Sequence, residues 1–80
     1  MIEYVIKKSI AKLSDNGSGL SKELNLISWN GATPKYDIRS WKQTEDGKKL
    51  YKGITLTAAE MEALKEAVKD LEIERNTDHE

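Results

Sequence analysis

Along most of this chain the hydrophobic positions recur with a period of two, and near the end the spacing changes to that of a helix. From Glu3 to Ser14, Tyr4, Ile6 and Ile10 alternate with Lys7, Ser9 and Lys12, which predicts a strand. Ile2, Ile6, Ile10 and Leu13 would equally line one side of a helix. Asp15-Asn16-Gly17-Ser18-Gly19 reads as a turn, because Asn and Gly tolerate positive φ. Leu20 to Asn30 alternates again, with Leu24 and Leu26 on one side and Asn25, Ile27 and Trp29 on the other. After the break at Asn30-Gly31-Ala32-Thr33-Pro34, Lys35 to Lys42 predicts a third strand, followed by a polar loop from Gln43 to Lys48. Leu50 to Leu56 predicts a fourth, with Gly53 marking a bulge or bend.

Thr57-Ala58-Ala59-Glu60 has the form of a capping box, which predicts a helix starting there. Met61, Leu64, Val68 and Leu71 then form a narrow stripe suited to one sheet or one partner helix. The expected fold is α+β: four antiparallel strands joined by short turns, then one C-terminal helix, ββββα. Residues 1–74 would form a single domain, and 75–80 a polar tail that frays.

Parity separates the two faces of such a sheet. If Leu24, Leu26, Ile38, Ile54 and Leu56 pack under the helix, the opposite face carries Asn25, Ile27, Trp29, Lys35, Arg39 and Trp41, with Lys49, Tyr51 and Thr55 from the last strand. Aromatic rings would then alternate with cations on a surface that a soluble monomer seldom exposes without a use.

Composition narrows what that use can be. The chain has 80 residues and no cysteine, so disulfides, thiolate metal sites and thiol chemistry are excluded. Its one histidine, His79, lies in the tail, so neither a metal nor a cofactor is expected. A lone core this small is marginal, and self-association is the support that remains. No apolar run approaches the length of a membrane span and the start lacks the features of a signal peptide, so a cytoplasmic protein is expected. The net charge of −1 conceals a split: residues 1–56 hold ten Lys and Arg against six Asp and Glu, and residues 57–80 three against eight. A basic sheet and an acidic helix follow, and local field matters more than the average.

Single-stranded nucleic acid suits an aromatic and basic sheet, because unpaired bases stack on Trp and Tyr while Lys and Arg neutralise phosphates. Trp29, Trp41 and Tyr51 are the candidate stacking residues, and Lys22, Lys35, Arg39, Lys49 and Lys52 the candidate phosphate contacts, with Asn25 beside them. Trp41→Ala is expected to weaken binding without disturbing the fold. The competing expectation is a protein-interaction module, in which Trp29 and Trp41 fill a dimer interface or a second core layer. Lys48, Lys49 and Lys52 could be an ordinary solvated cluster, and Arg39 beside Asp37 and Glu23 a structural ion pair. Catalysis is not expected, since no His, Cys or sheltered carboxylate pair is available for it.

Three stretches carry a resemblance: Glu23-Leu24-Asn25-Leu26-Ile27-Ser28-Trp29-Asn30, Pro34-Lys35-Tyr36-Asp37-Ile38-Arg39-Ser40-Trp41, and Lys52-Gly53-Ile54-Thr55-Leu56-Thr57. Together, over roughly Glu3 to Val68, they resemble the bacterial YdbC branch of the positive cofactor 4 family of single-stranded-DNA-binding coactivators. The resemblance implies a strongly curved sheet and a homodimer whose helices help form the interface, here through Met61, Leu64, Val68 and Leu71. It implies a groove for single-stranded DNA, with RNA as an open alternative, in transcription regulation or strand handling. Its aromatic position falls on Trp29, its arginine on Arg39, a following aromatic on or beside Trp41, and its basic positions on Lys22 and Lys52. Asn30 stands where the eukaryotic relatives carry a lysine, the loop from Gly47 to Gly53 is shorter, and their Ser-rich tail is absent.

Overall fold

In the computed structural model, which describes residues 2–75, the order is β1 (Tyr4–Asp15), β2 (Leu20–Trp29), β3 (Lys35–Thr44), β4 (Gly47–Leu56) and α1 (Ala58–Val68). The strands form one antiparallel sheet in sequential order, so the expected ββββα architecture is present. His79 and residues 76–80 of the expected tail lie outside the described residues.

β1 is a strand, not a helix. Its register against β2 slips at three places, leaving Lys7, Ile10 and Leu13 without a partner opposite. These three positions are three residues apart, and two of them, Ile10 and Leu13, belong to the set that would line a helix. Each bulge adds twist and bends the strand, so β1 coils along the edge of the sheet. The turn after it is tied by Asn16, whose side-chain oxygen accepts from the amides of Ser18 and Leu20 at 2.9 and 3.2 Å.

After β2, Asn30 and Gly31 both take positive φ, 50° and 78°, and the Ala32 amide donates to the Trp29 carbonyl. Asn30 also accepts from the Glu3 amide through Oδ1 at 2.9 Å, which fastens the start of β1 to the end of β2. The residue that departs from the eukaryotic lysine is therefore a turn-former holding two strands together.

The polar stretch Gln43 to Lys48, expected as a loop, is mostly strand. β3 continues to Thr44, β4 begins at Gly47, and only Glu45 and Asp46 connect them. Backbone pairing carries a tight hairpin through residues whose side chains alone signal a loop. The expected bulge in β4 is present: the register slips between Arg39 and Trp41, which face Gly53 and Leu50. Gly53 is required by close approach, because a Cβ there would overlap Arg39 Cβ and lie 2.7 Å from the Ile38 carbonyl oxygen.

Thr57 caps α1 as the sequence predicts. Its hydroxyl accepts from the Glu60 amide at 3.1 Å and the Glu60 carboxylate accepts from the Thr57 amide at 2.8 Å. The helix touches β3 and β4, yet none of its residues is fully buried.

The core corrects the face assignment. Ile27 and Trp41, together with Asn25 and Asp37, are buried to 1% exposure or less, and all four stand on the face expected to be open. Leu24, Leu26, Ile38 and Leu56, expected beneath the helix, are only half-buried, and Ile54 is 56% exposed. A sheet coiled by bulges on one edge strand and a bulge in the other fills its own concavity first.

Candidate nucleic-acid interface

The register shows how far the sheet bends. Trp41 pairs with Ser21 near the start of β2, whereas Tyr4 pairs with Trp29 at its far end. Eight residues of flat strand would span about 26 Å. Instead, the Tyr4 ring lies 5.7 Å from Trp29 and 5.6 Å from Trp41, tilted by 44° and 51°. The three rings form one cluster inside the curve. A cation sits over each indole: Arg39 Cζ at 4.9 Å from Trp29 and Lys48 Nζ at 5.0 Å from Trp41. Both indole N–H groups are buried with no acceptor among the described residues.

Two carboxylates hold these cations. Asp37, completely buried, accepts from Arg39 through both oxygens, from Nε at 2.6 Å and Nη2 at 2.8 Å, and from the Thr55 hydroxyl at 3.0 Å. Arg39 Nη1 donates to the Tyr51 carbonyl at 3.1 Å, which ties β3 to the bulge in β4. Glu23, 7% exposed, accepts from Ser21 Oγ at 2.7 Å, Lys48 Nζ at 2.9 Å and Asn25 Nδ2 at 3.5 Å. Burial opposes its charge, but these hydrogen bonds and the lysine charge outweigh burial and hold its carboxyl below the usual range. Beside it lie two grooves of about 350 and 280 Å³ that share Lys12, Glu23 and Lys48 in their walls, one lined also by Ser9 and Asn25 and the other by Trp41.

Of the candidate site residues, Asn25, Trp29, Arg39 and Trp41 are brought together on this face. Trp41 and Asn25 are inside it rather than on it, with exposures of 0% and 1%. Trp41 is thus a core residue roofed by Tyr4 and Lys48, contrary to the expectation that it could be truncated without disturbing the fold. Arg39 is a strut as well as a cation, with three donors engaged. Lys35 is exposed opposite Ile27, at the rim of the same face. Lys22 is exposed and pairs with Ser40, on the other face. Lys49 pairs with Lys42, also away from the aromatic cluster, because the β4 bulge shifts the parity by one residue. Lys48 takes the place expected of Lys49. Thr55 keeps the expected face, whereas Tyr51 and Lys52 are exposed within the bulge.

Sequence reading missed Tyr4, Lys48 and Glu23 as members of the site. The signal for Lys48 is its position across the hairpin, opposite Gln43, which shares the parity of Trp41; it is legible only once the loop is known to be two residues long. For Tyr4 no local signal exists, since three bulges separate its parity from the rest of β1. On the helix, Met61 is half-buried, while Leu64, Val68 and Leu71 are 37%, 46% and 56% exposed.

Among the described residues no group of three or more His, Cys, Asp or Glu is placed to hold a metal, and no helix is long and apolar enough to cross a membrane.

Comparison with known proteins agrees with this geometry. A protein of Treponema pallidum (strain Nichols), described only as uncharacterized, is 42% identical over 71 residues, covering 89% of this chain and 81% of the relative. The profile of the transcriptional coactivator p15 (PC4) family matches residues 17–67, from the first turn through β2, β3 and β4 to α1, and so includes Trp29 and Trp41 but not Tyr4. A curved ββββα sheet with that match over most of its length belongs to the transcriptional coactivator p15 (PC4) family.

Proposed function

We propose that this protein binds single-stranded DNA with little sequence preference, and acts in transcription or in the handling of exposed strands rather than as an enzyme. The observation that carries the reading is the ring cluster of Tyr4, Trp29 and Trp41 with a cation over each indole, inside a curved sheet of a coactivator family. Curvature matters because it suits a flexible strand, whose bases can splay onto rings while its phosphates turn to the rim. Trp29 and Tyr4, both half-buried, are the rings offered to bases, and Tyr51, 53% exposed, is a third at the bulge. Lys35 and Lys52 supply charge along the exposed margins, and Lys22 and Lys49 extend it over the other face. Duplex DNA hides its base faces, so this surface has less to offer it. RNA presents the same stacking faces and is the second ligand to try.

The acting unit we propose is a homodimer joined through Met61, Leu64, Val68 and Leu71 of the helix and its extension. Those residues remain half-buried or exposed in the protomer, as do Ile54 at 56% exposure and Ile73 at 67%. A small domain that leaves this much apolar surface uncovered is incomplete alone.

The test is fluorescence anisotropy of a labelled thymidine 20-mer titrated with the protein at two salt concentrations, beside the matching duplex. Binding to the single strand, weakened by salt at about 0.7 in log–log slope per phosphate contacted and accompanied by a change in Trp emission, is the expected result. Equal binding to duplex, or none at low salt, would refute the proposal.

A further inference from the structure

We infer that Glu23 is an internal substitute for a nucleic-acid phosphate, holding Lys48 in the binding face and thereby limiting affinity for single strands. The inference rests on the single-strand-binding reading above and adds a residue that works against binding. Lys48 is the cation over Trp41, at 5.0 Å from the ring, and its Nζ meets Glu23 Oε1 at 2.9 Å. A carboxylate oxygen at that distance makes the same charge-assisted hydrogen bond that a phosphate oxygen would make. The open groove beside the pair brings solvent, and so a strand, to Lys48, whose side chain is 36% exposed.

Glu23 is the asymmetric partner. Its side chain is 9% exposed and is held from below by Ser21 and Asn25, so it cannot follow Lys48 outward. A phosphate that took Lys48 would leave a buried carboxylate with neutral donors only, and would bring a second negative charge close to it. The ion pair lining the second groove, Lys12 with Asp15 at 3.0 Å, differs in being about half exposed on both sides, so Lys12 can exchange Asp15 for a phosphate while Asp15 turns to solvent. Lys12, Asp15 and Lys48 are the charged groups sharing the grooves with Glu23. Of these, only Lys48 is bonded to Glu23.

The test measures salt slopes with the thymidine 20-mer for the wild type, Glu23→Gln, Lys48→Met and the double variant. Glu23→Gln keeps the shape and removes the charge: its amide oxygen can accept from Asn25 where Oε1 stood, its amide nitrogen can donate to Ser21 Oγ where Oε2 stood, and Lys48 loses its ionic partner. The variant is expected to bind about fivefold tighter, with a log–log slope steeper by about 0.7, one further phosphate. In the Lys48→Met background the same change should leave the slope as it was. A Glu23→Gln protein that unfolds at the wild-type midpoint yet binds more weakly, or with the wild-type slope, would overturn the inference. Lys48→Met alone gives an independent check should Glu23→Gln not fold. The slope should stay at the wild-type value, because Lys48 spends its charge on Glu23; one shallower by about 0.7 would show Lys48 already on a phosphate and overturn it. A wild-type chain that does not bind the strand at all would remove the underlying reading, a result distinct from binding that ignores Glu23.

Discussion

Trp29 and Trp41 are the same residue type on the same face, and their surroundings give them different work. Trp41 is fully enclosed, with Tyr4 against it and Lys48 over it, whereas Trp29 is half-buried near the rim. Trp41→Ala is therefore expected to cost about 3–5 kcal/mol of stability, read as a fall in the urea midpoint. Trp29→Ala should act on binding, by about 1–3 kcal/mol per base no longer stacked, read in the anisotropy titration. The reverse assignment, a folded and stable Trp41→Ala protein with impaired binding, would show that the Trp41 ring is reached by the ligand. Which tryptophan a base meets could not be read from spacing, because exposure depends on how tightly the sheet curls.

At the scale of elements, the curl comes from places where strands fail to pair one for one. β1 carries three register slips and β4 one, and the slip in β4 starts from the close approach of Gly53 to Arg39. Gly53→Ala would set a methyl group against Arg39 Cβ and 2.8 Å from Arg39 Cα, with no flexible side-chain tip to move aside. Separating β3 from β4 there also stretches the contact between Arg39 and the Tyr51 carbonyl. A loss of about 1–3 kcal/mol in chemical denaturation is expected, with binding lost in parallel because Arg39 sits over Trp29. A variant as stable as the wild type would mean that the bulge can open without strain. The sequence pointed to Gly53 as a bulge, since a glycine inside a β-branched run has few other reasons to be there. It gave no comparable sign in β1, where Lys7, Ile10 and Leu13 are ordinary strand residues.

For the whole molecule, the Cα radius of gyration is 14.4 Å, against about 12 Å for a close-packed chain of this length. The excess fits a protomer that is an open curved sheet with a helix along two strands. Among the described residues only two apolar side chains, Ile27 and Trp41, are fully buried, and the helix stripe remains uncovered. Sedimentation at micromolar concentration is expected to give the mass of two chains, with a thermal midpoint that rises with protein concentration. Leu64→Glu should shift that equilibrium to monomer and lower stability together. A wild-type monomer at those concentrations would refute the dimer.

The sequence by itself determined the element order, the capped start of the helix, the bulge at Gly53 and the family, because each is written in local spacing and turn chemistry. Thr57 and Glu60 need only each other, and Asn30 with Gly31 needs only its own backbone. Parity from Leu24 to Trp29 and from Lys35 to Trp41 likewise needs only an unbroken strand, so it placed Asn25, Trp29, Arg39 and Trp41 on one face correctly. The tertiary structure decided which face is the protomer's core, that Lys48 rather than Lys49 joins the aromatic cluster, and that Tyr4 bridges two tryptophans eight residues apart along β2's register. These depend on bulges, and a bulge shifts the parity of everything beyond it while leaving almost no mark in the residues themselves.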